Sequence, residues 1–242
     1  MTSHRAILYG VGVGPGDPEL MTLKAVRLIR ENQVIAVPGH RPTASVAYRI
    51  AVQSVPELAE KELVSLPMPM VRDQALLRSA HRECAGFLQS YLDRGQNVVC
   101  LTLGDPTVYS TFSYLQRLLE EDGYPVQVVS GVPSFCAAAA RLGVPLAEWD
   151  EPLHVLPAAH IENYAMTQDG NYVLMKCGHR MKNLKAYVKD SGRLVYVAEN
   201  CGMPDEKLCR SVSEMPDEAG YFSLALVKCD TDRQTEKKCE KL

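Results

Sequence analysis

The chain has 242 residues, of which 46% are hydrophobic and 23% charged, with a formal net charge of -3. This balance is typical of a globular protein and provides no global basic field, so we expect no nucleic-acid partner. No apolar run reaches the ~18 residues of a membrane span and no signal-peptide segment is recognisable, so we expect a cytoplasmic protein without a membrane partner.

Eight cysteines and six histidines are scattered along the chain without a Cys-x-x-Cys or His-x-x-x-His pair. Structural zinc sites are built from such closely spaced ligands, so the sequence predicts no metal site. We interpret the cysteines as small buried side chains of a protein in a reducing compartment.

The first predicted strand, residues 6–11, runs into the glycine-rich loop Gly12-Val-Gly-Pro-Gly-Asp17. A dinucleotide-binding turn needs a third glycine where Asp17 stands, and a P-loop needs Gly-Lys-Ser/Thr, which is absent. Pro15 also lacks the backbone N–H that a phosphate cradle would use. The loop therefore favours a small ligand approached by bare backbone over a pyrophosphate.

Strand and helix patterns then alternate up to residue 130. Strands are predicted at 34–38, 62–66, 98–103 and 124–130, and helices at 22–29, 44–54, 73–92 and 108–121. The apolar stripe predicted to face the core on the long third helix is Ala75, Leu76, Ala80, Cys84, Phe87, Leu88 and Tyr91. Repeated strand–helix units with apolar strands predict a doubly wound α/β domain with a mostly parallel sheet over residues 1–130.

The strand at 98–103 ends in Gly104-Asp105-Pro106, immediately before a predicted helix. Gly104 allows the backbone to approach a ligand closely, and Asp105 offers a carboxylate. Two interpretations stay open from these residues alone. Asp105 caps the helix, or it belongs to a ligand site at the carboxyl edge of the sheet.

The remainder of the chain changes character. A helix of small residues is predicted at 131–141, and strands at 153–156, 172–176, 194–198, 208–212 and 221–227. Helical patterns separate only some of these strands, near 161–166 and 181–189. We therefore predict a second α/β domain with a mixed sheet over residues 131–229, a cleft between the two domains, and a polar tail at 230–242.

Two long segments of this sequence resemble the signatures of the tetrapyrrole methylases. They are Gly12-x-Gly-Pro-Gly-x-x-x-Leu-Met-Thr-Leu-Lys-Ala25 and Leu101-Thr-Leu-Gly-Asp-Pro-Thr-Val-Tyr-Ser-Thr-Phe112. Further segments resemble the branch that methylates carbon 20 of precorrin-2 or cobalt-factor II. They are residues 104–115, 132–147, 154–158, 173–176 and 221–227.

The resemblance implies an S-adenosylmethionine-dependent methyltransferase of cobalamin biosynthesis, a homodimer that binds the donor between its two domains. The tetrapyrrole substrate, precorrin-2 or cobalt-factor II, is expected in an open trough. By residue matching, the implied donor contacts are Pro15, Leu103, Gly104, Asp105, Val108, Pro133, Ser134, Met175 or Lys176, Cys201 and Ala225. The family usually has Pro-Gly at Ser130-Gly131 and Thr at Pro133, so a threonine hydroxyl contact to the donor is absent here.

A sulfonium methyl group is already activated, so its transfer needs positioning and water exclusion more than acid–base groups. Asp105 is the catalytic candidate, in the role of placing the donor rather than of a base. The substrate carries many carboxylates, so cationic and polar side chains in or beside predicted loops are candidate contacts. These are His40, Arg41, Arg72, Arg78, Tyr109, Ser110, Thr111, His179 and Arg180. A solvated surface charge is the alternative interpretation for each cation, and helix-start packing for Tyr109.

Three other functions remain open at this point. One is a tetrapyrrole methylase that acts on a different ring carbon, and another is a nucleotide-binding regulatory module without catalysis. The third is a ribosomal RNA methylase, which the acidic charge balance disfavours.

Overall fold

The computed structural model describes residues 6–69, 71, 73–158, 166, 169–189 and 191–229. The chain divides into two compact units, Met1–Pro133 and Ser134–Leu242. The predicted polar tail at 230–242 and most of the helix predicted near 161–166 lie outside the described residues. Among the helices that are described, none combines the length and apolar character needed to cross a bilayer.

The first unit alternates strands and helices. In chain order they are β1 (Leu8–Gly12), α1 (Leu23–Glu31), β2 (Val34–Pro38), α2 (Val46–Ser54), β3 (Glu62–Leu66), α3 (Gln74–Leu92), β4 (Val98–Thr102), α4 (Phe112–Glu121) and β5 (Val126–Val129). The strands pair in parallel in the order β3-β2-β4-β1-β5. This is the predicted doubly wound sheet, in which the chain leaves β1 in one direction and later returns to its other side.

Helices cover both faces of this sheet. On one face, Ile29 of α1 and Ile50 of α2 pack in a core with Val11 and Leu101. On the other face, side chains of α3 and α4 pack against Leu8, Val98 and Cys100. Strands buried on both sides explain why β4 is apolar at nearly every position rather than at alternate positions.

The predicted inner stripe of α3 is partly wrong. Ala75, Leu76 and Phe87 are exposed, whereas the buried face consists of His81, Cys84, Ala85, Leu88, Tyr91 and Leu92. The helix is rotated because it packs against α4 as well as the sheet, and His81 stacks on Tyr114 with ring centroids 4.6 Å apart. Because α3 packs against both α4 and the sheet, the face that it buries differs from its most apolar stripe.

The second unit has a mixed five-stranded sheet in the order β6-β7-β10-β8-β9. Its elements are α5 (Ser134–Leu142), β6 (Leu153–Pro157), β7 (Asn171–Met175), α6 (Met181–Lys189), β8 (Leu194–Glu199), β9 (Lys207–Cys209) and β10 (Ser223–Lys228). β6 and β7 are parallel, and the remaining pairs are antiparallel. The mixed sheet agrees with the prediction.

Two predicted strands of this unit are too long. The pattern at 208–212 contains only the end of β9, because Val212–Glu214 forms a short 3-10 helix. The pattern at 221–227 also begins too early, because Tyr221 and Phe222 form a turn before β10. Aromatic residues next to an apolar run favour a strand in the sequence pattern. The pattern does not reveal whether their backbone is paired with a neighbouring strand, and here it is not.

Candidate active site

Three loops of the first unit converge at the carboxyl edge of its sheet. They follow β1, β4 and β5, which are adjacent in the order β4-β1-β5. The Gly104 N–H donates to the Gly14 carbonyl at 2.8 Å, and the Val13 N–H donates to the Thr102 carbonyl at 2.9 Å. The loop after β1 is thereby held against the loop after β4 by backbone hydrogen bonds.

Glycine is required where these loops meet. A Cβ added to Gly12 would stand 2.5 Å from the Gly104 carbonyl oxygen and 2.6 Å from the Gly131 nitrogen. Gly131 is equally constrained, since its Cβ would lie 2.9 Å from Cα of Gly12. The backbones of three loops therefore touch directly, with no space for a side chain between them.

Gly104 itself presents an open side. Its backbone is left-handed with φ of 70°, and the nearest atom to a Cβ added at this position would be the Val132 carbonyl oxygen at 3.9 Å. The turn is therefore tightly packed where it meets Gly12 and Gly131, and it has no side chain on the open side of Gly104. Such a surface admits a ligand group directly against peptide atoms.

The buried carboxylate of Asp105 holds this arrangement together. Its Oδ1 accepts hydrogen bonds from the Thr107 N–H at 2.7 Å and from the Thr107 hydroxyl at 2.5 Å. Its Oδ2 accepts from the Gly131 N–H at 3.0 Å. Asp105 thus joins the loop after β4 to the loop after β5, and both carboxylate oxygens are engaged by the protein.

Of the two interpretations left open for Asp105, the structure excludes the helix cap. The helix predicted to begin at Val108 begins at Phe112, and residues 105–111 form turns before it. Phe112 starts the helix because its ring is buried in the core and lies against Gly10, where a Cβ would clash with it. The polar residues before it gain no comparable contact from a helical conformation.

The three predicted substrate residues of this segment lie in the turns. Tyr109 is about half exposed and has a left-handed φ of 45°. The Ser110 hydroxyl accepts from the Phe112 N–H at 3.1 Å, and Thr111 precedes the first residue of α4. The left-handed Tyr109 is the unusual feature, because a non-glycine residue rarely adopts this conformation.

The loop after β1 does not lead directly into a helix start. Pro15 is buried, and Asp17 begins a short 3-10 turn by accepting from the Glu19 N–H at 2.8 Å. α1 begins only at Leu23, where the Thr22 hydroxyl accepts from the Ala25 N–H. A phosphate-binding loop instead aims a helix N-terminus at its ligand, so this geometry differs from a nucleotide cradle.

The other predicted contacts of the first unit vary in exposure. Leu103, Val108 and Pro133 are half-buried, next to the buried Gly104 and Asp105. His40 and Arg41 are exposed beyond the end of β2, and Arg78 is exposed within α3 rather than in a loop. Arg72 lies outside the described residues.

In the second unit, β7 and β8 run in the same direction on either side of β10. Their carboxyl ends therefore share one edge of the sheet with the beginning of β10. Met175 is half-buried at the end of β7, and Lys176 is exposed with a left-handed φ of 58°. His179 and Arg180 follow in a short 3-10 helix, His179 exposed and Arg180 half-buried.

Three further predicted donor contacts lie in this unit, and their side chains differ in solvent exposure. Ser134, the first residue of α5, is half-buried. Cys201 is buried after β8, and its thiol hydrogen-bonds to Glu206. Ala225 is fully buried in the core between α6 and the sheet, so its side chain offers no accessible surface.

The sequence reasoning missed a cluster at this second edge. The Lys176 ammonium lies 5.7 Å from the centre of the Tyr221 ring, and Tyr221 meets Phe222 edge to face at 5.2 Å. The carboxylate of Glu199, buried at the end of β8, accepts from the Gly220 N–H at 2.7 Å. Adjacent aromatic residues after a glycine are the signal that would have separated this turn from the strand.

Cys177 supports the same turn from below. Its N–H donates to the Ser223 carbonyl at 3.1 Å, and its thiol donates to the Ser223 hydroxyl. Burial raises the pKa of the Cys177 thiol to about 11, so the group stays protonated and remains a donor at neutral pH. Cys177 therefore acts as a buried structural residue, as predicted. The same prediction is wrong for Cys136, which is exposed, and Cys209 and Cys229 are only half-buried.

Residues 7–216 match the family model of the Tetrapyrrole (Corrin/Porphyrin) Methylases. The chain belongs to this family. A relative from Methanocaldococcus jannaschii, a "Probable cobalt-precorrin-2 C(20)-methyltransferase", is 34% identical over 91% of this chain and 95% of its own. The "Precorrin-2 C(20)-methyltransferase" of a Sinorhizobium species is 31% identical over 93% of this chain and 96% of its own.

The fold of this tetrapyrrole methylase is shared with solved structures. The crystal structure of a cobalt precorrin-4 methyltransferase superposes with a TM-score of 0.72 over 94% of this chain and 97% of the other, at 20% sequence identity. Similarity of backbone at such low identity establishes the common fold and not the activity.

Proposed function

We propose that this protein transfers a methyl group from S-adenosylmethionine to carbon 20 of precorrin-2, or of its cobalt-bearing counterpart cobalt-factor II, in cobalamin biosynthesis. One observation carries the choice of carbon 20. Two relatives named for that position match more than 90% of the chain at 31–34% identity. The same relatives leave both the metal-free and the cobalt-bearing substrate open.

The loops of the first unit fit the proposed donor. Gly12 and Gly131 allow three loops to pack backbone to backbone, and Gly104 keeps a side free of side chains. Half-buried Leu103, Val108 and Pro133 supply apolar surface beside that glycine. These residues would hold the methionine or ribose portion, neither of which carries a phosphate, by shape and peptide contacts.

When bound, S-adenosylmethionine supplies a methyl group that its positively charged sulfur already activates. The chain then needs to fix the direction of approach and exclude water, and it needs no strong base. Asp105 has this positioning role because both of its oxygens accept hydrogen bonds from Thr107 and Gly131. Its negative charge next to Gly104 also favours a cation at that turn.

The proposed donor contacts of the second unit, taken from the family resemblance, are Ser134, Met175 or Lys176, Cys201 and Ala225. Met175 and Ser134 have accessible atoms, whereas Ala225 has none in this structure. For the substrate carboxylates we propose His40, Arg41, Arg72, Tyr109, Ser110, Thr111, His179 and Arg180. We also propose that the enzyme is a homodimer, as the resemblance implies, and that it acts in the cytoplasm.

The direct test is methyl transfer with purified protein, S-adenosylmethionine labelled on the methyl group, and either precorrin-2 or cobalt-factor II under anaerobic conditions. We expect one labelled methyl group on carbon 20, located by NMR of the product. A methyl group on another ring carbon supports the alternative of a different tetrapyrrole methylase. Absence of transfer to both substrates, with an adenine ligand still bound, supports a non-catalytic binding module.

A further inference from the structure

The turn Gly220-Tyr221-Phe222-Ser223 of the second unit is held on both sides by hydrogen bonds. Glu199 accepts from the Gly220 N–H, and the Ser223 hydroxyl donates to the Gly220 carbonyl at 2.8 Å. The Asn200 N–H donates to the Phe222 carbonyl at 2.9 Å. The backbone that carries the two aromatic residues is therefore fixed from β8 as well as from within the turn.

Two rings stay accessible although their backbone is fixed. Tyr221 and Phe222 are 39% and 38% exposed, next to one another at the beginning of β10. Exposed rings on a mobile loop gain contacts only at a cost in conformational entropy, whereas a fixed turn has already lost that freedom. Adjacent exposed aromatic side chains on rigid backbone are typical of a ligand-binding surface.

Lys176 adds a cation to the same surface. Its left-handed backbone, with φ of 58°, is matched by Asn200 on the other side of β10, with φ of 52°. Such conformations are rare for non-glycine residues and cost energy that the surrounding structure must supply. Within the described part of the chain Lys176 forms no ion pair, and its ammonium faces the Tyr221 ring.

Of the acidic side chains near this edge, Glu199 and Asp217 are paired with lysines, whereas Glu218 is exposed two residues before Gly220. Glu199 is buried, with its carboxylate on the Gly220 N–H and 3.5 Å from the Lys207 ammonium. Asp217 pairs with Lys185 at 3.2 Å, and His179 is exposed in the 3-10 helix after Lys176. The edge therefore offers flat apolar rings beside a cation whose charge is not neutralised by these carboxylates.

We propose that Lys176, Tyr221 and Phe222 form a docking platform for the tetrapyrrole substrate, with the rings against the macrocycle and the ammonium on one of its carboxylates. This proposal rests on the proposed function, and it assigns Lys176 to the substrate rather than to the donor. A tetrapyrrole combines a flat conjugated ring with peripheral carboxylates, which is the chemistry this surface complements. Aromatic contacts and a charge-assisted hydrogen bond supply the affinity.

The test measures two affinities separately for the full-length protein and three variants, Lys176→Met, Tyr221→Leu and Phe222→Leu. Uroporphyrin, a stable tetrapyrrole polycarboxylate, is titrated by its fluorescence, and S-adenosylhomocysteine by calorimetry. We expect each variant to weaken uroporphyrin binding roughly three- to tenfold and to leave S-adenosylhomocysteine binding unchanged. Tyr221→Phe, which keeps the ring, should bind uroporphyrin nearly as the wild type does.

Matched controls separate the platform from general surface effects. Lys182→Met removes an exposed lysine of α6, and Phe87→Leu shortens an exposed aromatic side chain of α3. Both controls should bind uroporphyrin as the wild type does. Raising the salt concentration should weaken binding to the wild type more than to Lys176→Met, because an exposed charge contact is screened.

Several results would overturn the platform. They are wild-type affinity for uroporphyrin in the three variants, no uroporphyrin binding to the wild type, and a Lys176→Met variant that loses S-adenosylhomocysteine instead. Failure of the proposed function gives a different result. In that case uroporphyrin binds, the variants lose it, and neither precorrin-2 nor cobalt-factor II is methylated.

Discussion

The two sheet edges of this protein are built by different means. In the first unit the loops after β1, β4 and β5 meet through peptide atoms, with Gly12, Gly104 and Gly131 where the backbones approach most closely. In the second unit the edge beside β10 carries exposed side chains. Tyr221 and Phe222 lie on a turn that the buried Glu199 helps to hold, and Lys176 follows the end of β7. Backbone contacts depend on the absence of side chains, whereas the second edge depends on their identity.

This difference separates two kinds of recognition. A backbone surface presents the same atoms whatever the neighbouring side chains are, so it suits the part of a ligand common to a whole family. A side-chain surface changes with each substitution and suits the part that varies between family members. For a methylase family the common part is the donor and the variable part is the tetrapyrrole. The proposed positions of Gly104 beside the donor and of Lys176, Tyr221 and Phe222 beside the substrate follow this division, although both units are proposed to contact both ligands.

Gly12→Ala should have the largest effect, because its methyl group would stand 2.5 Å from one backbone atom and 2.6 Å from another. We expect a loss of about 3 kcal/mol in the free energy of unfolding, measured by urea denaturation. Gly86→Ala is the control, since a Cβ there meets nothing within 4 Å on α3. It should stabilise the protein by about 0.5–1 kcal/mol. Equal effects of the two substitutions would contradict the backbone-built edge.

Asp105→Asn should have the next largest effect. One carboxylate oxygen is replaced by an NH₂ group that faces an N–H or a hydroxyl donor, so a buried hydrogen bond is lost. We expect a loss of about 2 kcal/mol in stability, and faster hydrogen–deuterium exchange in the loops after β4 and β5. Methyl transfer should slow in parallel, because Gly104 and Gly131 are no longer fixed.

Asp150→Asn, at an exposed position, serves as the matched control for that charge change. Its stability and turnover should equal those of the wild type. If a folded Asp105→Asn protein shows unchanged hydrogen–deuterium exchange and turnover, the carboxylate does not hold together the loops after β4 and β5.

Glu199→Ala tests the hydrogen bond that holds the turn at Gly220 in the second unit. Its effect on the free energy of unfolding should be smaller than that of Asp105→Asn. The Gly220 N–H loses its acceptor, so we expect a loss of about 1–2 kcal/mol together with weaker uroporphyrin binding. Lys207→Met removes the ion pair and leaves the Gly220 hydrogen bond in place. Because Lys207 is mostly exposed, this control should cost about 0.5 kcal/mol or less. Equal losses would show that charge, rather than the anchor of the turn, stabilises this edge.

Substitution of Glu206 should have the smallest effect on the free energy of unfolding, and this effect should depend on pH. The Arg141 guanidinium, which hydrogen-bonds to it, holds the pKa of this carboxyl below its ordinary value. The native state therefore binds fewer protons than the unfolded state. The resulting stability is fully present above the unfolded pKa of about 4.3 and is lost as the pH falls through the lower native value.

Thermal unfolding of the wild type and of Glu206→Gln at neutral pH and near pH 3 measures this contribution. We expect the variant to be less stable at neutral pH by about 1 kcal/mol or less, because Arg141 is largely exposed and the pair is screened. The difference should shrink in acid. A difference that grows as the pH falls would reverse the assigned sign.

Much of the fold is predictable from the sequence because its strongest signals are local. The apolar strands β1, β2 and β4, each followed by a helical period, are sufficient to indicate a doubly wound sheet. Helix faces are predicted less accurately. The apolar period places Leu76 and Phe87 in the core of α3, but contact with α4 rotates the helix and buries His81 instead. A sequence period reveals that a helix has a buried side, and the neighbours decide which side that is.

The role of Asp105 illustrates the same limit within the site. A carboxylate before a helical pattern is compatible with a cap or a ligand group, and its partner Gly131 lies 26 residues away in the chain. Nothing in the local sequence indicates that hydrogen bond. Tyr221 and Phe222 are a second example, because their pattern fits a strand and only the bonds to Glu199 and Asn200 place them in a turn.

The sequence by itself determined the α/β class, the two signature loops and the family, because glycine, proline and apolar periodicity act over a few residues. Tertiary structure alone decided which backbones touch, which face of α3 is buried, and which side chains gather beside β10. Those properties depend on residues far apart in the chain that the sheets bring together. Local sequence preferences do not encode such distances.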